Sequence, residues 1–193
     1  MDSLEQTIAD AQARLEAAVA DRTAAMHAPV VGTPDGEMRI MVLRAVGPAL
    51  SALRFHTDAR SPKVMTVATH GRASVLAYDP VARVQLRLSG PARIEQAGPT
   101  ADAAWDKAAA FSRRCYLAEA GPGAPLDAPG SALPADLLAR RPTLAETEAG
   151  RAAFAVLLVE PETLDWLRLD AHGGVRARFV RGPQGWEGGW TAP

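Results

Sequence analysis

Apolar residues Leu4, Ile8, Ala11, Leu15, Ala18 and Val19 recur at helical spacing near the start of the chain. Glu5, Asp10, Arg14, Glu16 and Arg22 fill the other faces. The pattern predicts an amphipathic helix over residues 3–25, with Ser3 as its N-cap. From about Ala25 the period changes. Residues 28–32 read as a short strand, and Pro34-Asp35-Gly36 as a turn. Residues 37–46 are rich in β-branched and aliphatic side chains and predict a strand. Gly47-Pro48 turns the chain and residues 50–57 return, so 37–57 predicts a hairpin.

Ser61-Pro62 opens a helix to about Thr69, and Gly71 ends it. Strands follow at 73–78 and 81–94, the second with clear alternation. Residues 100–117 predict one helix with Ala101, Ala104, Trp105, Ala108 and Phe111 inward. Residues 118–135 hold Gly121-Pro122-Gly123, Pro125, Pro129-Gly130 and Pro134, and read as a loop. Short helices are expected near 135–140 and 143–149, then strands at 154–159, 163–170, 175–181 and 186–190. The sum is seven or eight strands, many antiparallel, with helices between them. That is a mostly β, α+β domain or β-barrel rather than an alternating βαβ sheet. The expected organisation is an N-terminal helix (1–27) and a single domain (28–193).

Composition narrows the function classes. The chain has 193 residues, 48% of them hydrophobic, and a net charge of -1. That excludes whole-chain disorder and supports a sizeable core. The near-zero charge argues against a nucleic-acid partner, although all but two of the 21 basic residues are Arg. The longest apolar run, 152–159, is far too short to span a bilayer. The start lacks a basic-then-apolar pattern, which gives a cytoplasmic expectation with no membrane partner. A single cysteine, Cys115, excludes an intramolecular disulfide and a Cys-rich zinc site. The four histidines have no metal-ligand spacing, so no metal is expected. No dinucleotide, P-loop or serine-hydrolase motif is present.

Three stretches carry chemistry. In Phe55-His56-Thr57-Asp58-Ala59-Arg60-Ser61-Pro62-Lys63 a strand ends where a helix begins. A helix N-terminus flanked by Arg60 and Lys63 suits a phosphate dianion. In Arg39-Ile40-Met41-Val42-Leu43-Arg44 the two arginines are an odd number of residues apart. A regular strand would turn them to opposite faces, so they serve one pocket only through a bulge or from its different ends. In residues 83–90, Arg83, Gln85, Arg87 and Ser89 share one face and Val84, Leu86 and Leu88 the other. The Gln85 amide offers both donor and acceptor to a heteroaromatic ring edge.

The order RxxxLR, FHTDxRSxK and QLRLxG resembles the flavin-binding split-barrel family of pyridoxamine 5′-phosphate oxidases, in a bacterial FMN-binding branch related to those oxidases. Trp105, Phe111-Ser112-Arg113-Arg114-Cys115-Tyr116 and Pro122-Gly123 continue the likeness. So do Pro161-Glu162, Leu164-Asp165-Trp166 and Arg176-Ala177-Arg178-Phe179, and the terminal Gly185-Trp186 and Ala192-Pro193. The likeness spans roughly residues 28–193 and implies a split β-barrel binding FMN. It puts Arg39 and Arg44 on a flavin-contacting strand, His56 and Thr57 beside the flavin, and Ser61 and Lys63 at the phosphate, with Arg60 standing in for a family Arg lost at Pro62. It puts Gln85 and Arg178 on the isoalloxazine and Trp166 on the flavin of a partner subunit. It therefore implies a homodimer with the cofactor at its interface. Arg113 matches a substrate-phosphate position, but Gly174 and Arg176 replace the oxidases' Arg-x-His pair and Ala109 replaces a Tyr. The implied function is an FMN-dependent oxidoreductase acting on a small molecule other than pyridoxamine 5′-phosphate. A flavin-binding or sensor protein without turnover, or a binder of deazaflavin or haem on the same fold, are the alternatives.

Overall fold

The computed structural model of the protein describes residues 3–193, so Met1 and Asp2 lie outside the described residues. Helix α1 (Leu4–Ala20) is capped by Ser3, whose hydroxyl accepts from the Gln6 N–H at 3.2 Å. It ends earlier than the periodicity predicts. Asp21 accepts from the Thr23 N–H and hydroxyl at 2.8 and 2.7 Å, an Asx-type turn that diverts the chain. Ala11, Leu15 and Ala18 face inward, so the helix packs into the same core as the strands.

Ten strands follow: β1 (Val30–Gly32), β2 (Met38–Ile40), β3 (Leu43–Val46), β4 (Leu53–Asp58), β5 (Arg72–Asp79), β6 (Val84–Glu95), β7 (Phe154–Val159), β8 (Thr163–Arg168), β9 (Val175–Gly182) and β10 (Gly185–Thr191). Neighbours pair antiparallel in the order β10-β9-β8-β6-β5-β1-β2, while β7 joins β6 to β4 and β4 pairs with β3. The twelve residues of β6 serve both parts of the sheet. Val84–Ser89 pair with β8, and Ala92–Glu95 pair with β7. At the change-over a Cβ on Gly90 would run into the Glu160 carbonyl, so only glycine fits there. This is the split β-barrel.

Leu43, Leu53, Phe55, Leu86, Leu88, Leu157, Leu164, Trp166 and Phe179 fill the interior with the α1 face. Each such side chain contributes roughly 1.5–3 kcal/mol by leaving water. Trp105, Tyr116, Phe154, Val156 and Leu158 make a second, smaller core. Strand β7 is thus buried on both faces, which explains its unbroken apolar run.

Two predicted elements are split. Residues 37–46 divide into β2, which pairs with β1, and β3, which pairs with β4; the hairpin is β3–β4. The single helix expected over 100–117 becomes α3 (Pro99–Asp106), α4 (Ala110–Arg113) and a 3-10 helix, Arg114–Leu117. The Arg113 guanidinium donates to the Trp105 carbonyl at 3.1 and 2.7 Å. In a continuous helix that carbonyl would take the Ala109 N–H. Phe111 consequently lies 57% exposed instead of inward. Helix α2 (Pro62–His70) and the short α5 (Ala135–Ala139) and α6 (Leu144–Thr147) fall where the sequence places them.

Candidate cofactor site

The break in residues 37–46 builds the site. Strand β2 ends at Ile40, and Arg44 sits in a bulge where Leu43 pairs with Phe55 but Ala45 pairs with Arg54. The bulge satisfies the condition set by the odd spacing, and Arg39 and Arg44 line one pocket of about 330 Å³. His56 and Thr57 enter it from β4, and Lys63 from the first turn of α2. Cys115 and Tyr116 close another side, and Pro122 stands at the rim.

Local hydrogen bonds hold the groups in place. The Lys63 ammonium donates to the Ser61 hydroxyl at 2.6 Å and the Thr57 hydroxyl at 3.2 Å. Ser61 is the N-cap of α2 by backbone position, but its hydroxyl faces Lys63 instead of capping the helix. Arg39 donates to the Thr33 hydroxyl at 2.8 Å. Burial, reinforced by the Arg39 charge and opposed by Asp58, lowers the Lys63 pKa. Burial, together with Arg44 and Arg54, pushes His56 down to about 4, so it is neutral at pH 7. The His56 Nε2 and Arg44 Nε atoms are buried without a partner in the protein. Burial also raises the Cys115 thiol pKa.

Five predicted residues lie elsewhere, three of them engaged within the fold. Arg60 turns away from the pocket. Its guanidinium grips Asp58 at 3.0 and 2.7 Å and donates to the Ala118 carbonyl at 2.7 Å. Engaged with Asp58 and Ala118, it does not line the Lys63 pocket, where the likeness expected it at the phosphate. Arg113 is buried, stacked over Trp105 at 4.4 Å and bonded to Glu148, so it ties down α3 and faces no substrate pocket. Trp166 is 0% exposed, and its indole N–H donates to Asp10 on α1 at 2.8 Å. It packs in the core of its own chain, not at the surface where the likeness expected it. Its neighbour Asp165 points outward, and a one-residue offset along a strand exchanges the two faces.

Gln85 and Arg178 form a separate surface. Gln85 is half-buried on the outward face of β6, and Arg178 is exposed on β9. Arg178 stands 3.4 Å from Asp165, which also accepts from Arg176 at 3.0 and 2.7 Å and from Arg87. Burial opposes Asp165 ionisation, but the Arg176 and Arg87 hydrogen bonds outweigh it and hold the pKa below the ordinary value. This face borders a wide cavity of about 730 Å³ that shares no lining residue with the Lys63 pocket. The sequence reading gave no pocket role to Cys115, Tyr116 and Pro122. The signal for the first two is the helix break, which sends Arg113 inward and its neighbours to the pocket.

Among the described residues no cluster could hold a metal ion, and no helix is long and apolar enough to cross a membrane. The family model described as pyridoxamine 5′-phosphate oxidase, FMN-binding domain, matches residues 3–96. A pyridoxamine 5′-phosphate oxidase-related, FMN-binding protein from Nostoc punctiforme superposes with a TM-score of 0.73 at 23% identity, over 95% of this chain and 96% of that one. PhzG from Burkholderia lata, solved with tetrahydrophenazine-1-carboxylic acid, gives 0.72 at 18% identity, over 96% and 92%. A protein related to general stress protein 26 from Clostridium acetobutylicum gives 0.53 at 11%, over 89% and 94%. At these identities the likeness is one of fold. No curated protein matches the sequence. Residues 3–96 match the model of the pyridoxamine 5′-phosphate oxidase FMN-binding domain, and the described chain shares the split-barrel fold of the structures it superposes on.

Proposed function

We propose that the pocket between β2, β4 and α2 holds FMN and that the protein is an FMN-dependent oxidoreductase acting on a small molecule. One observation carries this reading. Arg39, Arg44 and Lys63 converge on one pocket, and the nearest carboxylate, Asp58, is already paired with Arg60. The pocket therefore keeps an uncompensated positive charge, which fits a phosphate dianion. The orphaned Arg44 Nε adds a donor that lacks a partner, and leaving such a buried group unpaired costs about 1–3 kcal/mol. The residues fit the cofactor: Ser61, Thr57, Lys63 and Arg44 at the phosphate, His56 toward the ring.

The pocket, about 330 Å³, is at the small end of ligand sites. The Gln85 and Arg178 face of a second copy supplies a further wall in our reading, as a homodimer repeating each contact twice. Bound FMN supplies the redox chemistry. The chain's own groups bind, orient and exclude water. His56 is neutral at pH 7, so its ring carries one N–H donor and one acceptor nitrogen, and its Nε2 is free to make one hydrogen bond. Arg176 is engaged by Asp165, and Gly174 offers no side chain, so a second anionic group such as that of pyridoxamine 5′-phosphate lacks its clamp.

Equilibrium dialysis of the purified protein tests the reading. FMN is retained at one per chain and riboflavin far more weakly. No FMN retention at micromolar protein refutes it. Stopped-flow reduction by NADH or NADPH, followed by reoxidation in air, separates an enzyme from a flavin carrier.

A further inference from the structure

We propose that Arg60 is a positioning residue that fastens the segment 118–132 as a strap over the rim of the pocket. The claim about the strap stands on the apo chain; its consequence for flavin rests on the function proposed above.

Arg60 is held from two sides. Its Nε and Nη2 grip Asp58 at 3.0 and 2.7 Å, and its own backbone N–H donates to the same carboxylate at 2.8 Å. The remaining Nη1 reaches the Ala118 carbonyl at 2.7 Å. Asp58 is buried at the end of β4, so the fork is fixed to the barrel. The strap contains no helix or strand. Its ends are closed by the Glu119 N–H donating to the Ala132 carbonyl at 2.8 Å. Among the described hydrogen bonds, the one from Arg60 is the only link from residues 118–132 to a distant part of the chain.

Contact follows the same line. A Cβ on Gly121 would lie 2.8 Å from the Arg60 Cβ, so the strap approaches Arg60 as closely as only glycine permits. The next residue, Pro122, lines the Lys63 pocket. Beneath the strap lies a second cavity of about 250 Å³ that shares Asp58, Cys115 and Pro122 with the first. Lifting the strap would widen the mouths of both. An arginine is required because its planar fork serves two acceptors in different directions; a lysine has one point of charge.

Proteinase K digestion of the full-length protein without flavin tests the strap. Arg60→Gln raises cleavage within 118–132 by about tenfold or more, and Arg60→Lys does the same. Gly121→Leu, which wedges the strap without changing charge, gives the same cleavage and covers the case in which the Arg60 variants fail to fold. Iodide quenching of bound riboflavin, which lacks the phosphate, rises in all three. Unchanged cleavage in a folded Arg60→Gln and in Gly121→Leu overturns the proposal. So does full protection by Arg60→Lys, which would make charge alone sufficient. Failure of FMN to bind leaves the digestion result intact and refutes only the function proposed above.

Discussion

Two arginine-rich regions of this chain differ in what their charges are free to do. Around Lys63, Arg39 and Arg44 share a pocket whose single nearby carboxylate is held by Arg60. On the outward face of β6, β8 and β9, Arg87, Arg176 and Arg178 converge instead on Asp165. The first region leaves positive charge and buried nitrogens unsatisfied. The second gathers its arginines on one carboxylate within its own face. An arginine count cannot separate them; the position of one carboxylate does. A site for an anion is where the counter-charge has been taken up by something else.

The largest expected effect tests the boundary between that outward face and the core behind it. Trp166 lies on the inner side of β8, one residue from Asp165. Trp166→Ala should lower the unfolding free energy by about 3–5 kcal/mol, read by urea denaturation. A variant as stable as the wild type that has lost FMN would return Trp166 to the cofactor and overturn the β8 register.

Next comes a pH effect confined to the pocket. The folded pKa of His56, about 4, lies below the ordinary 6.5. Between those values the unfolded chain binds more protons, so stability falls as pH drops from 6.5 toward 4. The contribution is about 3 kcal/mol over that window, and none is lost above it. His56→Phe should flatten this limb of the stability curve. An unchanged curve would mean that His56 titrates normally and the pocket is wetter than its burial indicates.

The clamp itself ranks third. Lys63→Ala combined with Arg44→Ala should weaken FMN about a hundredfold and riboflavin only slightly, since each charge-assisted bond contributes about 1.5–3 kcal/mol and the two are not fully additive. Equal losses for both flavins would move these residues off the phosphate. Cys115 gives an independent readout, because it is the only cysteine and lines the pocket. Saturating FMN should slow its alkylation several-fold, and no protection would place the flavin elsewhere.

These tests bear unevenly on what the sequence makes legible. The alternation in residues 84–89 and the apolar run of β7 were legible because one-sided and two-sided burial write different patterns. The Ser61–Lys63 turn was legible as a helix start beside cations. Arg60 and Arg113 misled because a charged residue in the right motif says nothing of which acceptor claims it. Asp58, two residues away, takes Arg60, and the Trp105 carbonyl, eight residues away, takes Arg113. Trp166 misled for a different reason: a match in sequence order carries no information about which face of β8 it lies on, and its register beside the core residues Leu86 and Ala177 decides it.

The smallest expected effect joins the two regions. If a second copy's outward face completes the flavin pocket, the groups there should matter to both cofactor and assembly. Gln85→Ala removes an amide without touching the Asp165 network, and Arg178→Ala removes its most exposed arginine, the one held only at 3.4 Å. Each should loosen FMN by a few-fold and weaken dimerisation to match, because a ligand bound across an interface stabilises the assembly by linkage. Sedimentation equilibrium with and without FMN measures the coupling: FMN should shift the protein toward dimer in the wild type and less in either variant. A monomer saturated with FMN would break the link between the two regions. The pocket around Lys63 would then act alone, and the outward face would need another explanation for its four-residue charge cluster.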